Sequence, residues 1–374
     1  MKIVDSGVVY KNEQPNMQYF QARQPAIRAL SETEYLCIYN HGTAMESVDN
    51  TLAQVRTTDG GKTWHHEGFI LERLNMPKKP VYSYFAPHLG KMKNGDLCLL
   101  SVRFRRDNPE LRVYNPKTGG CLPPDTTYFL SKDKGKTWQG PHIIPLPEGV
   151  VGYACGPILE TRDNRWMVSF ETWKTFDDPA PIKTRNFVLF SDNSGKSWND
   201  EHVIVEDSSA AKVYWDTIFN VHRDGTIMGL MWTHDLKAAK DLPLYRAFSK
   251  DNGKTWNVPE PTNLEGQINV TMELPDGRLF VIYNRRNCER PGIYTALSAD
   301  HGKIWDIKNQ IQIWDAFGNS NFGTNLGETF LENLATFAFG RPDAYLINDS
   351  EIIIVFWATQ NMITHVRWCR LSIS

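Results

Sequence analysis

One octapeptide returns five times in this chain, and that repetition restricts its possible folds more than any other feature. It reads Ser/Thr-x-Asp/Asn-x-Gly-Lys-x-Trp and occupies Thr57–Trp64, Ser131–Trp138, Ser191–Trp198, Ser249–Trp256 and Ser298–Trp305. Asn193 replaces the acid in the third copy, and Ile304 stands where the others carry Thr or Ser. The five tryptophans lie 74, 60, 58 and 49 residues apart. The residue types spell a hairpin turn. The Asp or Asn accepts hydrogen bonds from backbone amides two or three residues on. The Gly takes a positive φ, and the Trp folds back over the turn and buries a large apolar face. These boxes absorb five of the 12 tryptophans, and their role is structural.

A second repeat is interleaved with the first. Six times a turn leads into a short β-rich run: Tyr35–Tyr39, Leu97–Val102, Trp166–Phe170, Ile227–Trp232, Leu279–Tyr283 and Ile352–Trp357. The turns centre on Thr33, Gly95, Asn164, Gly225, Gly277 and Ser350, so the units recur every 63 residues or so and six of them fill the 374-residue chain. No sustained period of 3.6 interrupts them, which indicates an all-β array. A unit of ~60 residues with four short strands has the size of a propeller blade. The sequence therefore predicts one six-bladed β-propeller over residues 1–374. The sixth unit has no box and stops after one more strand, near His365–Ser372. Ile3–Tyr10 has the composition to supply the missing strand and close the ring.

Composition excludes several classes of partner. Lys and Arg total 41 against 43 Asp and Glu, a net charge of -2, so no excess of positive charge is present to neutralise a phosphate backbone. No nucleic-acid partner is expected. No apolar run approaches the ~18 residues of a membrane-spanning helix, and Met1-Lys2-Ile3-Val4-Asp5 shows no apolar leader core. A cytoplasmic protein and a mature secreted or periplasmic one would read alike. The six cysteines are far apart, with no Cys-x-x-Cys pair, and read as small buried thiols. No metal-ligand spacing and no Gly-rich phosphate loop occurs, so neither metal nor cofactor is expected.

The Ser-x-Asp-x-Gly-x-Thr-Trp pattern resembles the Asp-box, or BNR repeat, of the sialidase (neuraminidase) superfamily. The resemblance implies a sialidase-like propeller that binds its ligand at one end of the central channel without a cofactor. Each unit starts its first strand just after a loop on that face and leaves its second strand on the same face. The first-strand windows are Gln21–Arg23, Phe85–His88, Tyr153–Gly156, Tyr214–Thr217, Gln267–Thr271 and Phe339–Asp343. The second-strand windows are Asn40–Asp49, Arg103–Arg106, Glu171–Trp173, Trp232–Asp235, Asn284–Arg286 and Trp357–Asn361. They gather arginines, carboxylates and aromatics. Aromatics stack on sugar rings, Arg forks bind carboxylates bidentately, and closely placed carboxylates perform acid/base work on glycosidic bonds.

Taken residue by residue, the resemblance implies particular roles. Arg23-Gln24-Pro25 looks like the Arg-Ile-Pro element whose Arg binds the substrate carboxylate. The loop His41–Asp49 stands where the family places an acid/base Asp, which Asp49 or Glu46 could match. Asp216, eight residues before Asp224, stands near the place of the Glu that assists a Tyr nucleophile. Arg285 follows Leu274-Pro275-Asp276-Gly277-Arg278-Leu279 as a family Arg does. Two family elements are replaced. Phe339–Asp343 carries no Tyr, with Tyr345 deeper in the strand, and Tyr39-Asn40-His41-Gly42 stands for the usual Ala-Glu-x-Arg. The expected activity is that of an exo-acting glycoside hydrolase on a terminal acidic or decorated sugar. Asp49, Glu171, Asp216 and His41 are the catalytic candidates, and Arg23, Arg285, Arg341, His88, Trp215 and Glu46 the sugar-binding ones. A lyase or glycosidase using His41 or His88 on uronate glycans and a non-catalytic sugar-binding propeller are the alternatives.

Overall fold

The computed structural model describes residues 1–73, 80–319 and 337–373. Six antiparallel sheets run outward from a central channel, five of them following chain order from an innermost to an outermost strand and the sixth taking its outermost strand from the start of the sequence. The innermost strands of blades 1 to 6 are Gln21–Ala29, Tyr82–Lys91, Gly152–Ala154 with Leu159–Glu160, Lys212–Val221, Asn269–Glu273 and Phe339–Asn348. The second strands are Tyr35–Gly42, Leu97–Arg105, Trp166–Thr172, Ile227–Asp235, Leu279–Arg285 and Glu351–Gln360. Neighbouring blades cover both faces of these second strands. That is why they read as unbroken apolar runs instead of alternating, and every residue of Tyr35–Gly42 is buried.

The ring closes as the sequence suggests. Lys2–Tyr10 pairs antiparallel with Ile363–Ser372, Lys2 opposite Ser372 and Tyr10 opposite Val366, as the outermost strand of blade 6.

Each box turns the chain between the third and fourth strands of its blade. The hydroxyl of Ser131 donates to Asp133 at 2.8 Å and accepts the Gly135 N–H at 2.8 Å. Asp133 then accepts the Thr137 N–H, four residues on, at 2.9 Å, and in the fifth box Asp300 accepts from both Lys303, three on, at 3.1 Å and Ile304, four on, at 2.9 Å. Two consecutive residues are left-handed, Lys134 at φ 60° and Gly135 at φ 81°. Gly suits the second by its φ, and a Cβ there would also press on the Leu36 Cδ2 of the preceding blade at 2.6 Å. Trp138 reaches the same neighbour, donating from Nε1 to Gln54 at 2.8 Å. Leu36 and Ile38 of blade 1, Leu97 and Leu99 of blade 2 and Trp138 form one cluster. The box thus locks two blades together as it makes its turn. Five of the six cysteines are buried thiols, and Cys288 is half-buried.

Candidate functional site

Four innermost strands break register at the same depth, between Arg23 and Ala26, Phe85 and His88, Trp215 and Ile218, and Gly340 and Asp343. Each break holds a non-glycine residue in the left-handed region: Gln24 at φ 49°, Ala86 at 55°, Asp216 at 47° and Arg341 at 41°. Three of these precede a proline (Pro25, Pro87, Pro342). Proline has no N–H to lose from the ladder, yet it pushes its predecessor toward extended backbone. These positions therefore carry strain of order 1–3 kcal/mol each. A bulge re-aims side chains, and here Gln24, Ala86, Asp216 and Arg341 all line one cavity at the channel mouth.

That cavity encloses about 160 Å³. Aromatic rings from blades 2, 3 and 4 wall it, among them Phe85, Tyr114, Tyr153, Trp173, Trp215 and Trp232, while Glu171, Asp216, Arg286, Arg341 and His88 supply its charged and polar groups. A larger cavity of about 370 Å³ lies further along the channel, lined by Leu89, Asn220, Thr271 and Tyr345, and shares His88, Ile268 and Arg341 with the first. There Arg28 is paired to Asp343 at 3.0 Å. The reactive groups are gathered in the smaller one.

Two carboxyls dominate it. Glu171 is the penultimate residue of the second strand of blade 3, opposite Tyr153, and its Oε2 accepts the backbone N–H of Asp216 at 2.9 Å. Burial and the negative charge of Asp216 push Glu171 up to about 8. Burial also raises Asp216, while the Arg341 and Arg286 guanidiniums act in the opposite direction. The proton of the pair therefore belongs on Glu171. The Tyr153 hydroxyl and Cys155 thiol face Glu171 as hydrogen-bonding groups, and burial keeps both protonated.

The cations differ in how they are held. Arg286 donates to the Phe339 carbonyl from Nη2 at 2.8 Å and to Gln267 from Nη1 at 2.8 Å, with its guanidinium 3.8 Å from the Phe337 ring centre. Arg341 donates from Nη2 to His88 Nε2 at 2.5 Å. Burial, then Arg341 and Arg28, hold His88 well below the usual imidazole range, so it is neutral.

Of the residues singled out in the sequence, Glu171, Asp216, Arg341, His88, Trp215 and Glu46 line this cavity. Glu46 works as an anchor: its carboxylate accepts the Val113 N–H at 3.0 Å and meets Arg112 at 3.4 Å. Arg23 sits in an adjoining crevice with its guanidinium 4.9 Å from the Trp357 ring centre, and burial lowers it to about 10. The remaining three lie elsewhere. Asp49 folds back on Thr43, accepting its N–H at 3.1 Å and its hydroxyl at 2.5 Å, and so closes its own loop. His41 is packed against Tyr10, Phe20 and Phe69, and burial lowers it to about 4. Arg285 turns away to Glu265 at 3.0 Å, because successive strand residues face opposite sides, and Arg286 takes the inward position. Tyr345 lies on the far cavity beneath Arg28.

Tyr114 was not legible. It arrives on a long loop between the second and third strands of blade 2, which is tied to blade 3 by Cys121 N–H to Lys174 carbonyl (3.1 Å) and Trp173 Nε1 to Gly119 carbonyl (2.8 Å). Gly120 is obligatory there, since a Cβ would fall 2.0 Å from the Thr175 carbonyl oxygen. The left-handed residues before Pro25, Pro87 and Pro342 did leave a trace, as an X-Pro step at the start of three units.

Six blades around one channel, five of them carrying an Asp-box, define a sialidase-like β-propeller. The chain belongs to the BNR repeat-like domain family, whose pattern matches residues 58–316. A search of curated proteins gives no match. Among solved structures, a protein of unknown function from Dyadobacter fermentans DSM 18053 superposes with a TM-score of 0.77 at 20% identity, over 100% of this chain and 99% of that one. The alpha-L-arabinanase of Penicillium chrysogenum, complexed with arabinobiose, is similar at TM-score 0.66 and 12% identity, over 100% and 99% of the two chains. The NanB sialidase of Streptococcus pneumoniae is similar at TM-score 0.64 and 15% identity, over 98% of this chain and 70% of that one.

Proposed function

We propose that the chain is an exo-acting glycoside hydrolase that takes one terminal sugar into the channel mouth and cleaves its glycosidic bond between Glu171 and Asp216. The observation that carries this reading is the buried pair itself: a carboxylic acid that accepts the backbone N–H of the residue bearing the second carboxyl, whose charge acts on it and which faces two guanidiniums. Environments that separate two carboxyls in this way assign an acid and its partner. Glu171 donates its proton to the glycosidic oxygen as the bond to the anomeric carbon breaks. Asp216 either attacks that carbon or takes a proton from the water that does. The aromatic wall covers the apolar face of the ring, and Arg286 and Arg341 favour a sugar bearing an anionic or strongly polar substituent.

Elimination on a uronate fits less well. His88 commits its Nε2 lone pair to Arg341, and His41 lines neither of the two channel cavities.

The test is release of 4-methylumbelliferone from a panel of glycosides of sialic acid, uronic acids, deoxy sugars and L-arabinose, the last chosen for the arabinanase likeness. Turnover on at least one, lost in folded Glu171→Gln and Asp216→Asn variants, supports the proposal. Glycan-array binding with no turnover on any substrate would replace it with a sugar-binding propeller.

A further inference from the structure

We infer that His88 is a positioning residue, which fixes the Arg341 guanidinium beside Asp216 by accepting its hydrogen bond in the partition between the two channel cavities. The inference rests on the acid and partner roles proposed for Glu171 and Asp216. His88 and Arg341 line both cavities, and each is only 8% exposed. Their contact is therefore made inside the wall between the cavities, away from bulk water. Both enter that wall through strained backbone: His88 follows left-handed Ala86 and Pro87, and Arg341 is itself left-handed.

The charges around the contact decide which partner donates. Arg341 from blade 6 and Arg28 from blade 1 face His88, and Asp343 is already paired with Arg28. An imidazole between two guanidiniums stays neutral. Its Nε2 presents a lone pair to the Arg341 donor, which leaves the ring hydrogen on Nδ1.

The charges around Asp216 decide what the contact does. Glu171 faces it from blade 3, Arg286 from blade 5 and Arg341 from blade 6, with the Cys155 thiol nearby. Arg286 is anchored independently by Phe339 and Gln267. Among the described residues, the hydrogen bond of the Arg341 side chain is the one to His88. A second anion, Asp343, also acts on Arg341 and lines the far cavity. Without His88 the guanidinium is released toward Asp343, and Asp216 loses one of its two stabilising cations.

Two readouts test this without turnover. Nitrogen-15 NMR of histidine-labelled protein, with the His88 signal assigned from a His88→Gln variant, should show Nε2 unprotonated from pH 5 to 8. Carbon-13 NMR of the aspartate carboxyls, with Asp216 assigned from Asp216→Asn, should give a midpoint that rises by about one unit or more in His88→Leu. His88→Gln restores an acceptor at the same reach and should return the midpoint close to wild type. Should His88→Leu fail to fold, His88→Asn, whose amide stops short of Arg341, takes its place. A protonated Nε2, an unmoved midpoint, or equal shifts in the Leu and Gln variants would overturn the inference. Once a substrate is identified, the acid limb of kcat/KM should move with the midpoint. Loss of the glycosidase reading would instead appear as no turnover in wild type with the NMR shifts intact.

Discussion

Glu171 accepts the backbone N–H of Asp216 at 2.9 Å across the boundary between blades 3 and 4. One carboxyl is thereby held in place by the peptide group of the other, and the bulge at Asp216 fixes both. Their relative position depends on the packing of two blades and not on a flexible loop.

The pair predicts how stability varies with pH. Glu171 titrates near 8 when folded, against 4.5 for an ordinary glutamate. Between those values the unfolded chain has lost this proton and the folded one retains it, so this group lowers stability as pH rises, by at most ~1.4 kcal/mol per pH unit. Glu171→Gln cannot ionise. Its melting temperature relative to wild type should therefore rise from pH 5 to pH 8, as differential scanning calorimetry would show. A constant difference would mean that Glu171 is ionised in the folded protein.

Leaving-group chemistry separates the two carboxyl roles. Removing a general acid costs 10²–10⁴-fold in rate, but only where the departing oxygen needs its proton. Glu171→Gln should lose that much on natural or methylumbelliferyl glycosides and far less on dinitrophenyl glycosides. Asp216→Asn should be impaired on both. Steady-state rates on matched substrates decide, and equal losses in Glu171→Gln on the two leaving groups would remove Glu171 from the acid role.

Two adjacent arginines should behave differently. Arg285→Met breaks an exposed pair with Glu265, a change of about 0–1 kcal/mol, and should leave turnover intact. Arg286→Met strips donors from the buried Phe339 carbonyl and Gln267 amide oxygen, at roughly 1–3 kcal/mol each. It should lower the melting temperature and raise KM sharply. Thermal melts and Michaelis constants of the two variants make the comparison.

The boxes should matter to stability alone. Trp138 is 5% exposed and joins blades 1 and 2, so Trp138→Ala should cost about 3–5 kcal/mol. Asp133→Ala, which frees the Thr137 amide at an exposed turn, should cost nearer 1 kcal/mol. Urea titrations measure both, and turnover per folded molecule should be unchanged.

The fold was legible because a box needs the same atoms wherever it occurs: a hydroxyl, an acid, a Gly that faces a neighbouring blade and a Trp to wedge there. The cavity lining was legible where the strand pattern places a residue near the channel mouth, as at Glu171 near the end of its strand and at Asp216 and His88 on the bulges of theirs. It was not legible where one residue of register decides the face, and Arg285 stands outside while Arg286 stands inside. Nor could it be read where a loop closes on itself, as Asp49 does on Thr43. Tyr114 reaches the cavity only because its loop docks on the next blade, a contact with no local pattern.

Ring closure by Lys2–Tyr10 has a consequence for the order of events during synthesis. The partner strand, Ile363–Ser372, leaves the ribosome after every other strand of the ring. At about 5–20 residues per second, the first strand waits roughly 20–70 s with its backbone edge unpaired. That edge carries Ile3, Val4 and Val8, which remain partly exposed even in the finished ring. An open edge with apolar side chains invites pairing with other chains. The chain is therefore most exposed to aggregation before Ile363–Ser372 emerges, when five blades are already complete.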